Sequence, residues 1–99
     1  MQKKIIKPGE QIKIKLAEFE RDLIIDDTFV EQEYIDLLKN AIPQSGYITV
    51  SLTLDDLDFI LGHVAASANH AEDRDLESLL DELYDRLTEI ESKYDLADE

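Results

Sequence analysis

The sequence predicts an α+β fold rich in helix, in which a small antiparallel sheet of two or three strands packs against about four helices. Three observations support this fold class. Apolar and polar residues alternate over two short segments, apolar residues recur at helical spacing over longer ones, and the last segment, 74–94, keeps that spacing for nearly three heptads. Ninety-nine residues suffice for one domain, which we place at 1–94, followed by an acidic tail at 95–99.

The beginning of the chain predicts a basic β-hairpin over residues 1–16. Isoleucine and leucine alternate with lysine over 12–16, which is the period of a half-buried strand. Pro8 and Gly9 precede this strand and suit the two central positions of a tight turn. We therefore expect segment 3–7 to pair with segment 11–16.

Residues 17–94 predict a helical body. Apolar residues at helical spacing indicate a first helix over about 17–26 and a second over about 29–41. Thr28 and Glu31 have the spacing of a capping box and predict the start of the second helix, which ends before a proline.

The most regular strand pattern in the chain covers residues 48–54, where apolar and polar side chains alternate without interruption. Its expected partner is the strand at 12–16. Thr53 and Asp56 form a second capping box, and we expect a third helix from there to about Asn69.

The last helix, predicted over about 74–94, carries a leucine-rich seam at steps of three and four residues. Such a seam packs either in the domain's own core or against a second copy of the chain, and both interpretations stay open. Acidic residues flank it, which disfavours a parallel pairing of two copies. The seam consists of Leu76, Leu80, Leu83, Leu87 and Ile90.

Two segments of the chain resemble each other at an offset of 36 residues. Residues 12–25 and 48–61 match at four positions, and both have the pattern of a strand followed by a helix. An internal duplication explains this likeness, and so does chance, because strand-to-helix junctions share such patterns.

Charge is the most unusual property of the sequence, whose net charge is −14. Residues 1–15 carry five lysines against one glutamate, whereas the remaining 84 residues carry 23 acids against five bases. The acidic body repels phosphate, so we expect no direct binding of nucleic acid. The charge is either a solvated surface that favours solubility or a surface that binds a basic partner.

Several classes of protein are disfavoured by what the sequence lacks. Without cysteine there is no disulfide and no thiolate metal site or nucleophile. No apolar run is long enough for a membrane span, and the start has no apolar core of a signal peptide, so we expect a cytoplasmic location without membrane contact. Phosphate-binding loops and nucleophile motifs are absent too, and we expect neither a cofactor nor catalysis.

The two histidines, His63 and His70, are the weak candidates for a metal site, together with Asp73. Imidazole and carboxylate are suitable zinc ligands. However, a seven-residue separation corresponds to a rise of about 10.5 Å along a helix, which is too far for both rings to reach one ion easily. We therefore favour ordinary surface histidines and expect no bound metal.

Small residues cover nearly every face of the third helix around Gly62 and Ala66. They allow a second helix to approach closely. This face either packs inside the domain or docks a helix of a partner.

Three functional hypotheses follow. The first is a small, acidic, non-catalytic domain for protein interaction or regulation, with an unknown protein partner or a homodimer. The second is a nucleic-acid mimic that occupies the basic groove of a DNA-binding protein. The third is a small metal-binding protein that uses His63 and His70.

Overall fold

In the computed structural model of this chain, residues 3–97 are described, and they form four strands and four helices. The predicted helix-rich α+β class is confirmed, as are the small antiparallel sheet and the long last helix. The elements in chain order are β1 (Lys4–Ile6), β2 (Ile12–Ala17), α1 (Glu18–Asp27), α2 (Gln32–Asn40), β3 (Tyr47–Leu52), α3 (Leu54–Asn69), α4 (Arg74–Glu91) and β4 (Tyr94–Leu96).

Strands β2 and β3 form the predicted antiparallel ribbon, with Ile12 opposite Leu52 and Leu16 opposite Ile48. The alternation of apolar and polar residues gives the ribbon one buried face and one outer face. The buried face packs with residues of the helices in one apolar core. The outer face consists of Lys13, Lys15, Tyr47, Thr49 and Ser51.

The two segments that resemble each other at an offset of 36 residues also have the same secondary structure. Helix α1 begins at Glu18 and α3 begins at Leu54, and each follows its strand directly. Ile14 and Val50, which are equivalent under this offset, lie opposite each other in the middle of the ladder. The ribbon is therefore related to itself by an approximate two-fold axis, and each half continues as strand, helix, helix.

The starts of α1 and α3 also use the same device. The carboxylate of Asp56 accepts a hydrogen bond from the backbone N–H of Thr53 at 3.1 Å, and the Thr53 hydroxyl accepts one from Asp56 N–H at 3.0 Å. This confirms the predicted capping box. At the equivalent place, Glu20 accepts a hydrogen bond from Ala17 N–H at 2.8 Å. Alanine has no side-chain oxygen, so only half of the box exists there.

The predicted hairpin over 1–16 is wrong, and the predicted acidic tail does not begin at residue 95, because residues 95 and 96 belong to β4. Strand β1 pairs in parallel with β4, and Ile6 lies opposite Leu96. Hydrogen bonds of 2.8 Å from Lys4 N–H to the Lys93 carbonyl and from Ala97 N–H to the Ile6 carbonyl close this sheet. Ile6 is buried in the core. Residues 1, 2, 98 and 99 lie outside the described residues.

Two helix boundaries differ from the predictions. Thr28 does not begin α2: its hydroxyl donates a hydrogen bond of 2.6 Å to the Ile24 carbonyl and so ends α1, and α2 starts only at Gln32. Helix α4 ends at Glu91 rather than at residue 94, because a turn leads from it into β4. No helix within residues 3–97 is both long and apolar enough to cross a membrane.

Candidate functional site

An open groove of about 310 Å³ lies where the loop between α1 and α2 meets the loop between α3 and α4. We call it the Phe29 groove. Its lining combines apolar, acidic and imidazole side chains from both loops and from the adjoining helix ends. The lining residues are Asp27, Phe29, Ser67, His70, Ala71, Glu72, Asp73 and Leu76.

Phe29 is the most exposed large apolar residue within residues 3–97, with 89% of its surface accessible. Its exposure follows from the local backbone. Thr28 leaves α1 in an extended conformation, and side chains of extended residues alternate between two sides. Thr28 and Val30 are both buried, so Phe29 between them points to solvent.

The groove is apolar inside and acidic at its rim. Leu76 and Ala71 are half-buried, whereas Asp27, Glu72 and Asp73 are exposed. The position of Asp73 is fixed because its carboxylate caps α4, accepting a hydrogen bond of 2.8 Å from Asp75 N–H. An apolar surface with a rim of carboxylates is suited to a cationic partner that also has apolar side chains.

Three residues that the sequence singled out for other reasons meet in this groove. His70 and Asp73 were metal candidates, and Leu76 was the first residue of the leucine seam. Nothing in the sequence connects these residues with Phe29, because the two loops are far apart in the chain. In the sequence, this position is marked only by two adjacent acids, Asp26 and Asp27, which are the last two residues of α1.

His63, the other metal candidate, is placed differently. Its Nε2 lies 3.3 Å from Glu31 Oε1, at the start of α2. A hydrogen bond to its own backbone, and then the interaction with His63, hold the pKa of Glu31 below its ordinary value. Within residues 3–97, no group of three or more histidine or acidic side chains is arranged to hold a metal ion.

The leucine seam lies inside the fold. Leu80, Leu83 and Leu87 are almost fully buried, and Leu76 and Ile90 are partly buried against the same core. Helix α3 is the main packing neighbour of α4. These side chains are therefore occupied within one chain.

Gly62 and Ala66 lie on the solvent side of α3, together with Phe59, of which 59% is accessible. They do not pack inside the domain. Neither Gly62 nor Ala66 lines the Phe29 groove.

Comparisons of the chain with protein-family models, with curated proteins and with solved structures found no match.

Proposed function

We propose that this chain is a non-catalytic protein-interaction domain that binds a basic, partly apolar segment of a partner protein in the Phe29 groove. The observation that carries the proposal is the almost fully exposed Phe29 in a groove that three carboxylates also line. A large aromatic side chain is costly to leave in water, and aromatic side chains often contribute much of the binding energy at interfaces.

The charge of the whole domain supports the same kind of partner. A net charge of −14 attracts cationic segments over about a Debye length, which is about 8 Å at physiological ionic strength. The rim carboxylates then direct a cationic segment to the groove, and contact with Phe29 and Leu76 adds apolar binding energy. The affinity of the complex should therefore depend on salt and on Phe29 together.

Photo-crosslinking in an extract of the source organism tests this directly. A benzophenone-bearing phenylalanine is incorporated at position 29, and in a second sample at position 59, which is also an exposed phenylalanine but lies on α3. We expect position 29 to crosslink a reproducible segment with net positive charge and apolar side chains, and position 59 not to do so.

Binding measurements with the synthetic form of the crosslinked segment complete the test. Phe29→Ser should weaken binding about tenfold or more, whereas Phe59→Ser should leave the affinity unchanged. If both variants bind as well as the parent chain, the attraction is diffuse charge alone and the groove is not the site.

Nucleic-acid mimicry is the second candidate, and one observation favours it. Glu77, Asp81, Asp85 and Glu89 are all exposed and form a row along α4 at intervals of four residues, or about 6 Å. This row is regular, although it is sparser than a DNA strand with about one charge per 3.4 Å. A mimic would bind a DNA-binding protein in competition with duplex DNA, and replacing the four acids by amides would abolish binding.

The proposal also includes a cytoplasmic location, which the lack of cysteine supports without requiring it. A homodimer stays a prediction. The leucine seam that suggested it packs in the core of one chain, so a dimer would have to use another surface. Metal binding by His63 and His70 stays a prediction as well. His63 contacts Glu31, whereas His70 lines the Phe29 groove.

A further inference from the structure

The β2–β3 ribbon has two edges, and they are not equally protected. Arg86 donates a hydrogen bond of 2.7 Å to the carbonyl of Lys15 at the edge of β2. No other strand within residues 3–97 pairs with the outer edge of β3. An uncovered strand edge is a template for another extended segment.

The ladder geometry shows which groups point outward from β3. Glu18 N–H donates to the Gly46 carbonyl across the ribbon, and hydrogen-bonded pairs alternate with non-hydrogen-bonded pairs along an antiparallel ladder. Tyr47, Thr49 and Ser51 therefore direct their backbone groups to the outer edge. Those of Tyr47 are bonded to Gln44 in a tight turn, which leaves Thr49 and Ser51 for an added strand.

A groove of about 600 Å³ accompanies this edge, lined by Lys15, Ile42, Gln44, Ser45, Tyr47 and Thr49. Ile42 is 81% accessible and forms an apolar contact point beside the strand. The ammonium of Lys15 lies 4.5 Å from the centre of the Tyr47 ring, in a cation–π contact. The contact places the ammonium of Lys15, a β2 residue, over a side chain of β3.

The lysines of the outer face form no ion pair with another described residue. Although the chain has 24 acidic residues, neither Lys13 nor Lys15 forms an ion pair with any carboxylate in residues 3–97. The surface thus offers unneutralised positive charge beside unpaired backbone donors and acceptors. Its chemical complement is an extended chain with carboxylates.

We propose that the outer edge of β3 binds an extended acidic peptide of a partner protein as a third strand of the ribbon. The peptide backbone pairs with Thr49 and Ser51, one of its carboxylates meets Lys15, and an apolar side chain covers Ile42. This site is separate from the Phe29 groove and selects the opposite charge. The two proposals can therefore fail independently.

Selection from a library of random dodecapeptides against the whole chain, followed by synthesis of the enriched peptides, tests the proposal. We expect Asp or Glu at alternate positions of these peptides. Amide hydrogen exchange by NMR should show Thr49 and Ser51 becoming protected when a peptide binds. Enrichment of basic peptides, no enrichment at all, or protection elsewhere would overturn the proposal.

Substitutions then test whether the Lys15 charge and the Thr49 backbone contribute to peptide affinity. Lys15→Glu should weaken binding of the selected peptides about tenfold. Lys39→Glu, which changes an exposed lysine on α2, should leave their affinity unchanged. Thr49→Pro removes the outward N–H and should also weaken binding. If Thr49→Pro does not fold, the double variant Lys13→Glu/Lys15→Glu replaces it, with the same expectation.

Two alternatives give distinct results. If an oligothymidine of twelve nucleotides binds and displaces the selected peptides, the lysines serve nucleic acid and the proposal is wrong. If the chain alone forms a dimer in which the Thr49 and Ser51 amides are already protected, the edge belongs to a second copy and the proposal is wrong again. A monomer with exchanging amides and no affinity for the oligothymidine supports it.

Discussion

Glu20 and Arg86 are 66 residues apart in the chain and form a bidentate ion pair. Arg86 Nε donates to Glu20 Oε2 at 2.6 Å, and its Nη2 donates to Oε1. Glu20 is almost fully buried and also accepts the hydrogen bond from Ala17 N–H that begins α1. Because Arg86 also bonds the Lys15 carbonyl, this one side chain joins α4 to both β2 and α1.

Removing Arg86 should therefore destabilise the fold. Arg86→Leu leaves a buried carboxylate without its cation, and we expect the free energy of unfolding to fall by about 2–3 kcal/mol, less than for a fully buried pair because Arg86 is partly exposed. Urea unfolding measures this, with Arg74→Leu at the exposed start of α4 as the control. Glu20→Gln combined with Arg86→Leu should cost less than the sum of the single changes. Strict additivity would show that the pair contributes nothing.

A second carboxylate, which is partly buried, makes stability depend on pH. Glu91 lies at the end of α4, and its Oε2 is buried without a hydrogen-bond partner among the described residues. Burial, and then the neighbouring Asp58 carboxyl, raise the pKa of Glu91 from 4.5 to about 7. The folded state thus binds a proton that the unfolded state releases. The effect on stability is nil below about pH 4.5 and becomes destabilising as the pH rises to 7.

Glu91→Gln should remove this effect. We expect the variant to be more stable than the parent chain by about 1 kcal/mol at pH 8 and equally stable at pH 4, after allowance for solvent screening. Thermal unfolding across this range measures the difference. Glu89→Gln, which changes an exposed acid on the same helix, should not alter the pH profile. A constant difference at all pH values would mean that Glu91 does not titrate in this window.

Neighbouring isoleucines in β1 give a matched test of the parallel β1–β4 sheet. Ile6 is buried, whereas 62% of Ile5 is accessible. Ile6→Ala should lower the free energy of unfolding by about 2–4 kcal/mol, and Ile5→Ala by less than about 0.5 kcal/mol. Equal effects in chemical denaturation would argue that β1 does not dock as described.

The leucine seam can be tested in the same way. Leu83 is buried in the core, and Leu79, one turn earlier on α4, is 39% accessible. Leu83→Asp places a charge among apolar side chains and should unfold the domain, whereas Leu79→Asp should leave it folded. Circular dichroism and light scattering distinguish the outcomes. A folded Leu83→Asp monomer obtained from an oligomeric parent would show that the seam is an interface between copies.

Local patterns predicted much of this fold. The β2–β3 ribbon follows from strict alternation, and the start of α3 follows from Thr53 and Asp56, because both depend on residues close in sequence. Thr28 shows the limit of such patterns: a hydroxyl that could begin one helix instead ends the previous one. Side-chain hydrogen bonding of threonine allows either, and only the tertiary context decides.

Contacts between distant segments could not be predicted. The strand Tyr94–Leu96 is three residues long and carries a central aspartate, so its sequence resembles an acidic tail. The Glu20–Arg86 pair and the meeting of Phe29 with Leu76 likewise depend on how the helices are arranged. The candidate site was therefore recognisable in the sequence only as separate residues without a common location.

The β1–β4 sheet has a consequence for synthesis of the chain. Lys4 leaves the ribosome early, but its register partner Tyr94 is translated only after both helical pairs are complete. Until then Ile6 has no strand beside it, and a nascent chain carries an uncovered apolar residue among lysines. Ribosome-bound chains that end before residue 94 should accordingly be more sensitive to protease around Ile6 than chains in which a linker after residue 97 holds β4 clear of the ribosome.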